Sequence, residues 1–268
     1  MPSSKPAMVI PRETAILPKS SMIFRDRRAW TALLLLALAT GACSPSPPPS
    51  VSTASTASPA PAIAGSTPPP RDRGRTPAET MSYRGADWLT RPERIAEEQP
   101  DKMLAALHLT PGMSVADVGA GVGYHALRMS TIVGAAGRVY ATDVQPEMLT
   151  MLREEIAKRN VVNIVPVLSG DTTTGLPAGA IDVALMVDVY HELGQPERFL
   201  AALKEALKPE GRLVLVEFRG EDPSVPIKTE HKMTAEQAIG ELGAAGFTLV
   251  ERQELLPWQH ILIFARSR

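Results

Sequence analysis

The sequence predicts an α/β fold in which a seven-stranded, mostly parallel sheet has helices on both faces and an antiparallel C-terminal hairpin. Short apolar runs alternate with helical patterns along residues 114–218, which is typical of a parallel sheet. The first run, 114–118, leads directly into a turn with glycine at every second position. The last two runs, 247–255 and 260–265, are joined by the short segment 256–259, which predicts an antiparallel pair at one edge of the sheet.

The composition excludes several classes of function. The 268 residues carry a formal net charge of −1, which gives no general affinity for nucleic acid or acidic lipid. Aromatic residues make up only 4% of the chain, too few to suggest a surface that stacks single-stranded bases. Because Cys43 is the one cysteine, neither a disulfide framework nor a cysteine zinc site can form, and we predict no metal site.

Residues 1–43 have the pattern of an export signal. A basic stretch at 22–28 precedes an apolar run at 29–42, which is too short to span a bilayer of about 30 Å as a helix. With Cys43 following small residues, the segment resembles a bacterial lipoprotein signal. That resemblance implies a membrane-anchored lipoprotein on the periplasmic face, with translation beginning at Met22. A cytoplasmic location is the alternative, and a buried N-terminal helix is the structural alternative.

Residues 44–80 are rich in proline, serine, threonine and alanine, with proline triplets at 47–49 and 68–70. Such a composition cannot bury a core, so we expect an extended, disordered linker. The folded domain is therefore expected to occupy residues 81–268.

The elements of this domain follow from their boundary signals. Thr90 and Glu93 form a capping-box pattern, Pro100 breaks the helix that it would begin, and a second short helix should end near Leu107. A helix begins at Pro146, residues 208–211 form a turn, and residues 219–233 form a polar loop. The remaining predictions are strands at 114–118, 137–143, 164–168, 181–187 and 212–218, and helices at 124–133, 196–207 and 234–246.

The glycine turn is the first candidate for a binding site, because ligands of such sheets bind beyond the carboxyl ends of the strands. Gly119, Gly121 and Gly123 let a ligand approach the backbone and the first amides of the next helix. Asp143 follows at the spacing at which a carboxylate accepts both ribose hydroxyls of a nucleotide cofactor. A dinucleotide fingerprint needs glycine where this chain has Tyr124, so the pattern favours S-adenosylmethionine over a dinucleotide.

With these motifs in place, residues 81–268 resemble a class I S-adenosylmethionine-dependent methyltransferase, which has a Rossmann-like fold. The matching stretches are Val-Ala-Asp-Val-Gly-Ala-Gly-Val-Gly (115–123), Val-Tyr-Ala-Thr-Asp (139–143), Ser-Gly-Asp (169–171), Ile-Asp-Val-Ala-Leu-Met-Val-Asp (181–188) and Leu-Lys-Pro-Glu-Gly-Arg-Leu-Val-Leu-Val-Glu (207–217). The chain is most similar in character to the small-molecule C-methyltransferases of quinone biosynthesis. The resemblance implies S-adenosylmethionine as methyl donor and a small-molecule acceptor, and it leaves the oligomeric state open.

The resemblance also implies roles for individual residues around the cofactor. The glycine turn, with Ala120, would pass under its methionine part, and Asp117 would lie near its amino group or order the turn. The other implied contacts are Asp143 and Val144 at the ribose and adenine, Asp171 and Thr172 at the adenine amine, and Asp188 near the sulfonium.

Methyl transfer needs mainly an aligned acceptor, but an oxygen or carbon acid also needs a base. His191 is the candidate because its ordinary pKa lies near neutrality, and Tyr190 and Glu192 are the alternates. His191 could instead cap the turn that follows it.

Two further segments are expected to border the site. The loop 219–233 carries several charges and is expected to face the acceptor, or to be simply a solvated loop. The segment 86–94 is expected to close over the cofactor as a lid, or its Trp88 serves only in packing. The alternative functions are a nicotinamide-dependent oxidoreductase and a non-catalytic module that binds S-adenosylmethionine.

Overall fold

The computed structural model describes residues 76–267. The predicted signal, Cys43 and most of the predicted linker therefore lie outside the described residues. Within residues 76–267, no helix combines the length and the apolar character that crossing a membrane requires.

Seven strands form one sheet in the order β3-β2-β1-β4-β5-β7-β6. All neighbouring pairs are parallel except the two that involve β7, which runs antiparallel to both β5 and β6. The predicted sheet and its antiparallel C-terminal pair are therefore confirmed. The strands are β1 (Ser114–Val118), β2 (Arg138–Asp143), β3 (Ile164–Leu168), β4 (Ile181–Val187), β5 (Leu207–Phe218), β6 (Phe247–Gln253) and β7 (Gln259–Arg266).

In residues 76–267, six α-helices surround this sheet, and three of them begin with a proline whose missing N–H group is not needed in the first turn. They are α1 (Arg94–Glu98), α2 (Pro100–Ala106), α3 (Ala126–Val133), α4 (Pro146–Lys158), α5 (Pro196–Ala206) and α6 (Ala235–Ala244). Short 3₁₀ helices cover Tyr83–Thr90, Tyr190–Glu192 and Thr229–His231.

The core lies in two layers because neighbouring residues of a strand point to opposite faces of the sheet. In β4, Val183 and Leu185 pack with α2, α3 and α4, whereas Ala184 and Met186 pack with α5 and α6. Helices on both faces, as predicted, leave the carboxyl ends of the parallel strands free to form a site.

Two local predictions were wrong. Thr90 does not cap α1, because its hydroxyl donates to the carbonyl of Asp87 inside its own 3₁₀ helix. The predicted turn 208–211 lies inside β5, because Leu207 already pairs with Ile181 before the register shifts. The cap at Thr234 is confirmed, since its side chain accepts from the backbone N–H of Gln237.

Candidate active site

The carboxyl ends of β1, β2 and β4 meet where β1 lies between the other two strands. A cavity of about 570 Å³ lies at this edge. Trp88, Leu89 and Arg94 of the predicted lid line it, together with part of the loop 219–233. The sequence therefore placed both bordering segments correctly around one cavity.

The glycine turn forms the floor of the cavity. Gly119, Ala120 and Gly121 line it, and their turn continues until α3 begins, two residues later than predicted. Gly121 has a φ of +53°, and a Cβ there would lie 2.7 Å from Cδ1 of Leu89 in the lid. A residue other than glycine would be strained at this φ, and its Cβ would also displace the Leu89 side chain of the lid.

Asp143 ties the end of β2 to the glycine turn. Its carboxylate accepts from the backbone N–H of Gly121 and of Gln145, each at 2.9 Å. Burial raises the pKa of Asp143, and these backbone hydrogen bonds oppose the shift. Because each carboxylate oxygen has two lone pairs, the group keeps acceptor capacity for the hydroxyls of a ribose. Next to it, Val144 is 44% exposed and offers the cavity an apolar surface.

Beyond β3, the cavity is lined by Ser169, Gly170 and Asp171. Asp171 is exposed, and it follows β3, which pairs with β2, the strand that Val144 follows. These positions fit the predicted contacts with an adenine, which needs one apolar face and a polar partner for its amine.

Asp117 provides a buried negative group at the end of β1. It is 2% exposed, and its Oδ2 has no hydrogen-bond partner in the described part of the chain. Burial raises the pKa of Asp117 to about 7, while a backbone hydrogen bond from Ala126 and the charge of Arg94 oppose the shift. An unpartnered buried carboxylate that lines a cavity fits a cationic ligand group, such as the ammonium of S-adenosylmethionine.

Arg94 gives the same end of the cavity a buried positive charge. Its Nε donates to Glu98 at 2.7 Å, one Nη lies 3.3 Å from Nε2 of His125, and the guanidinium stacks on the ring of Tyr124. The side chain is thus held in place from several directions. Arg94 and Asp117 together form a pair suited to the two charges of an amino acid group.

Asp188 follows the last residue of β4. Its backbone φ is +53°, a value that residues other than glycine rarely adopt. Its Oδ2 accepts from Nε2 of Gln259 at 2.7 Å, and its buried Oδ1 has no hydrogen-bond partner among residues 76–267. Burial raises the pKa of Asp188 well above its usual range, and the nearby charges of Glu98 and Glu217 add to the shift. Such local strain beside a cavity is common at functional sites.

His191 lies between two polar side chains. Its Nδ1 is 2.6 Å from Oε2 of the fully buried Glu217, and its Nε2 is 3.1 Å from Nδ1 of His231. The other oxygen of Glu217 accepts from the backbone N–H of Tyr190. Both ring nitrogens of His191 therefore contact side chains, which fits the predicted functional role better than the predicted capping role.

Glu192 lines the cavity beside His191. Burial raises the pKa of Glu192 to about 7, and the charge of His191 and a hydrogen bond with Thr80 oppose the shift. A carboxyl group with such a pKa can exchange a proton near neutral pH.

Three of the predicted site residues do not line the cavity. Gly123 faces α4, where a Cβ would collide with Leu152. Tyr190 is buried in the core layer of α5 and α6, and its hydroxyl donates to Glu241. Thr172 lies just past the residues of its loop that line the cavity. Gly123 thus packs against α4, and Tyr190 packs in the core and contacts α6, while their predicted cofactor and catalytic roles stay predictions.

Glu217 and Gln259 are functional candidates that sequence reasoning missed. Glu217 could have been noticed, because it is a carboxylate in an otherwise apolar central strand. Gln259 carries no such signal, since its role appears only when β7 brings it to Asp188.

Comparison with known proteins supports the cofactor. Residues 116–215 match the family model described as a methyltransferase domain. A solved S-adenosylmethionine-dependent methyltransferase from Aquifex aeolicus is 28% identical, with a TM-score of 0.66, and the match covers 69% of this chain and 98% of that one.

Two curated relatives match over a smaller share of their length. Protein-L-isoaspartate O-methyltransferase of Methanothrix thermoacetophila is 32% identical over 52% of this chain and 63% of its own. Ubiquinone/menaquinone biosynthesis C-methyltransferase UbiE of Shewanella pealeana is 28% identical, and that match covers 40% of this chain and 43% of the relative. The chain thus spans less than two thirds of either relative. Together the likenesses support a class I methyltransferase domain with a Rossmann-like fold, and S-adenosylmethionine is the methyl donor that they imply.

Proposed function

We propose that the protein is a methyltransferase that transfers the methyl group of S-adenosylmethionine to a small molecule. The observation that carries this proposal is the convergence of the glycine turn, Asp143 and the oppositely charged pair Asp117 and Arg94 on one cavity. Each of these groups is complementary to one part of the methyl donor.

In this proposal the chain holds the methyl donor at three points. Asp143 accepts from the ribose hydroxyls, and Val144 packs against the adenine, whose amine faces Asp171. Asp117 pairs with the ammonium of the methionine part, and Arg94 pairs with its carboxylate. The gain in binding comes largely from buried, charge-assisted hydrogen bonds, which are worth about 1.5–3 kcal/mol each.

The bound S-adenosylmethionine supplies a methyl group already activated by the sulfonium. The chain then has to align the acceptor and, for an acidic acceptor, to take its proton. Glu217 holds Nδ1 of His191, so Nε2 of that ring is the basic atom on the side of His231 and the cavity. Glu192 is the second group placed to exchange a proton there.

We favour a small acceptor because the lid and the loop 219–233 both border the cavity. The name of the Methanothrix relative assigns it an isoaspartyl residue of a protein as acceptor, which makes an isoaspartyl peptide the second acceptor class to test. The alignment covers about half of this chain, so the acceptor does not follow from it.

The test is a search for turnover with the purified protein and S-adenosylmethionine that is radiolabelled in the methyl group. Metabolite extracts and a synthetic isoaspartyl peptide are offered as acceptors, and the Asp143→Ala variant, which should bind the donor weakly, serves as the control at a limiting donor concentration. Transfer of label into a small metabolite supports the proposal, and transfer only into the peptide supports the isoaspartyl class. Calorimetry distinguishes an oxidoreductase, which would bind NADH and not S-adenosylmethionine, from a non-catalytic module, which would bind the donor without any turnover.

We also propose that lipid attached at Cys43 anchors the domain to a membrane, on the periplasmic face. The support is the order of a basic stretch, an apolar run and a cysteine in residues 22–43. In cells fed labelled palmitate, the protein should take up label and fractionate with membranes, and Cys43→Ser should lose both properties. Membrane fractionation and labelling that persist in the variant would exclude this anchor, and an unprocessed soluble protein would favour the cytoplasm.

A further inference from the structure

Three potential metal ligands meet beside the proposed donor site. His191, Glu192 and His231 each offer one ligand atom, and these atoms all lie within 4.8 Å of one another. All three residues line the cavity. We propose that they form a site for one divalent transition-metal ion such as Zn²⁺, with an open coordination position that faces the cavity. No metal site is predicted from the sequence, where His231 lies 40 residues beyond His191.

The spacing of the two imidazoles suits a shared metal ion. Nε2 of His191 and Nδ1 of His231 are 3.1 Å apart. Two nitrogens bound to Zn²⁺ at about 2.0–2.1 Å are separated by about 2.9 Å at a right angle and by about 3.3 Å at a tetrahedral angle. The observed distance lies between these values, so an ion can bind both nitrogens without moving either ring far.

Glu217 supports the proposed metal site by contacting the ring nitrogen of His191 that would not bind the ion. Its Oε2 lies 2.6 Å from Nδ1 of His191 and the residue is fully buried, so it holds the proton on Nδ1, and Nε2, which contacts His231, is the ring nitrogen that would bind the ion. A histidine that binds a metal nearly always has such a carboxylate or carbonyl partner on its other nitrogen. A buried carboxylate behind His191 and a second one at Glu192 also place negative charge around the position of the cation.

Three protein ligands and one open position are typical of a catalytic metal site. In this cavity the open position would receive an oxygen of the acceptor. A cation lowers the pKa of a hydroxyl group that it binds, so the acceptor loses its proton to water before transfer. With the ion bound, His191 and Glu192 act as its ligands, and the ion replaces them as the means of removing that proton. This part of the inference rests on the proposed function, and it points to phenols, enols or other oxygen acids as acceptors.

The experiment measures metal binding without any turnover. Protein without a histidine tag is treated with a chelator and dialysed, Zn²⁺ is added, and the bound metal is counted by mass spectrometry. Co²⁺ is then used as a visible probe of histidine ligation. We expect one metal ion per chain, loss of that ion in both His231→Ala and Glu192→Gln, and affinity reduced by about 10- to 100-fold in Glu217→Gln.

His108→Gln is the matched control, because His108 is an exposed histidine that does not line the cavity. It should retain full metal binding, and thermal unfolding verifies that the ligand variants remain folded. If the protein binds no Zn²⁺, or binds it equally in the His231 and His108 variants, the proposal is wrong and the contact between His191 and His231 is only a hydrogen bond. S-adenosylmethionine binding, measured with the same metal-free protein, tests the proposed function separately, so either idea can fail alone.

Discussion

Asp117 should make the affinity for S-adenosylmethionine depend on pH. Burial raises its pKa from the usual 3.8 to about 7, so the side chain is largely protonated at pH 5 to 6 in the protein without ligand. A bound ammonium group stabilises the carboxylate, and the proton must leave when the ligand binds. By linkage, one released proton changes the dissociation constant by at most about tenfold, or 1.4 kcal/mol, per pH unit.

The direction of the pH dependence of the affinity, and the pH range over which it occurs, follow from the pKa of Asp117. Affinity should rise with pH from 5 to 7, by up to about 100-fold in total, and should level off above 7, where Asp117 is ionised before the ligand binds. Asp117→Asn cannot ionise, so its affinity should match the wild type near pH 5 and should fall progressively behind it towards pH 7. Calorimetric titrations in buffers with different ionisation enthalpies would measure both the dissociation constant and the released proton.

A second ligand gives the internal control. 5′-Methylthioadenosine shares the nucleoside part of the donor but lacks both the amino acid group and the sulfonium charge, so neither Asp117 nor Asp188 should link its binding to pH. The comparison with Asp117→Asn then separates the contribution of Asp117 from that of Asp188. Other buried carboxylates, such as Asp143, also have a raised pKa, and comparison of the two ligands removes any contribution that they share. Equal pH slopes for the two ligands, or for the wild type and Asp117→Asn, would refute the placement of Asp117 at the ammonium.

Three further substitutions test other parts of the site. Asp143→Ala should weaken S-adenosylmethionine binding by about 10- to 100-fold in calorimetry, because charge-assisted hydrogen bonds to the ribose are lost; Asp101→Asn, whose side chain is 91% exposed, should change nothing. Gly123→Ala should lower the free energy of unfolding by about 1–3 kcal/mol more than Gly112→Ala. Both glycines have a φ near +89°, but only at Gly123 would the added Cβ meet a packed side chain. Equal losses of stability in thermal denaturation would contradict that packing role. Trp88→Ala should release S-adenosylmethionine about fivefold faster in stopped-flow measurements, because an aromatic contact worth about 1 kcal/mol is removed from the lid. An unchanged release rate would mean that the lid does not hold the ligand.

Local sequence signals predicted the fold well where they agreed with long-range pairing. The strands at Ser114–Val118, Ile164–Leu168 and Ile181–Val187 have the predicted bounds, because each is an apolar run between turn residues. The prediction of a turn at 208–211 was wrong because pairing with β4 extends the start of β5 to Leu207, and the local sequence gives no sign of that pairing.

The same distinction applies to the site. Asp117, Gly121 and Asp143 could be found because their motifs are compact in the chain, and the structure places all three at the cavity. The partners of the remaining groups are distant in sequence: Glu217 lies 26 residues from His191, and Gln259 lies 71 residues from Asp188. Neither separation matches a sequence motif, so the two residues of each pair could be recognised as partners only in the folded sheet.

The reversed direction of β7 has a consequence for how the protein is made. Because β7 runs against β5, its first residues lie at the same edge as the carboxyl ends of the parallel strands, and Gln259 reaches Asp188 from there. While residues 259–266 are still inside the ribosome, β5 is an open sheet edge, and Asp188 lacks this partner. The growing chain therefore cannot form the contact between Gln259 and Asp188, or pair this edge of β5, until β7 has left the ribosome.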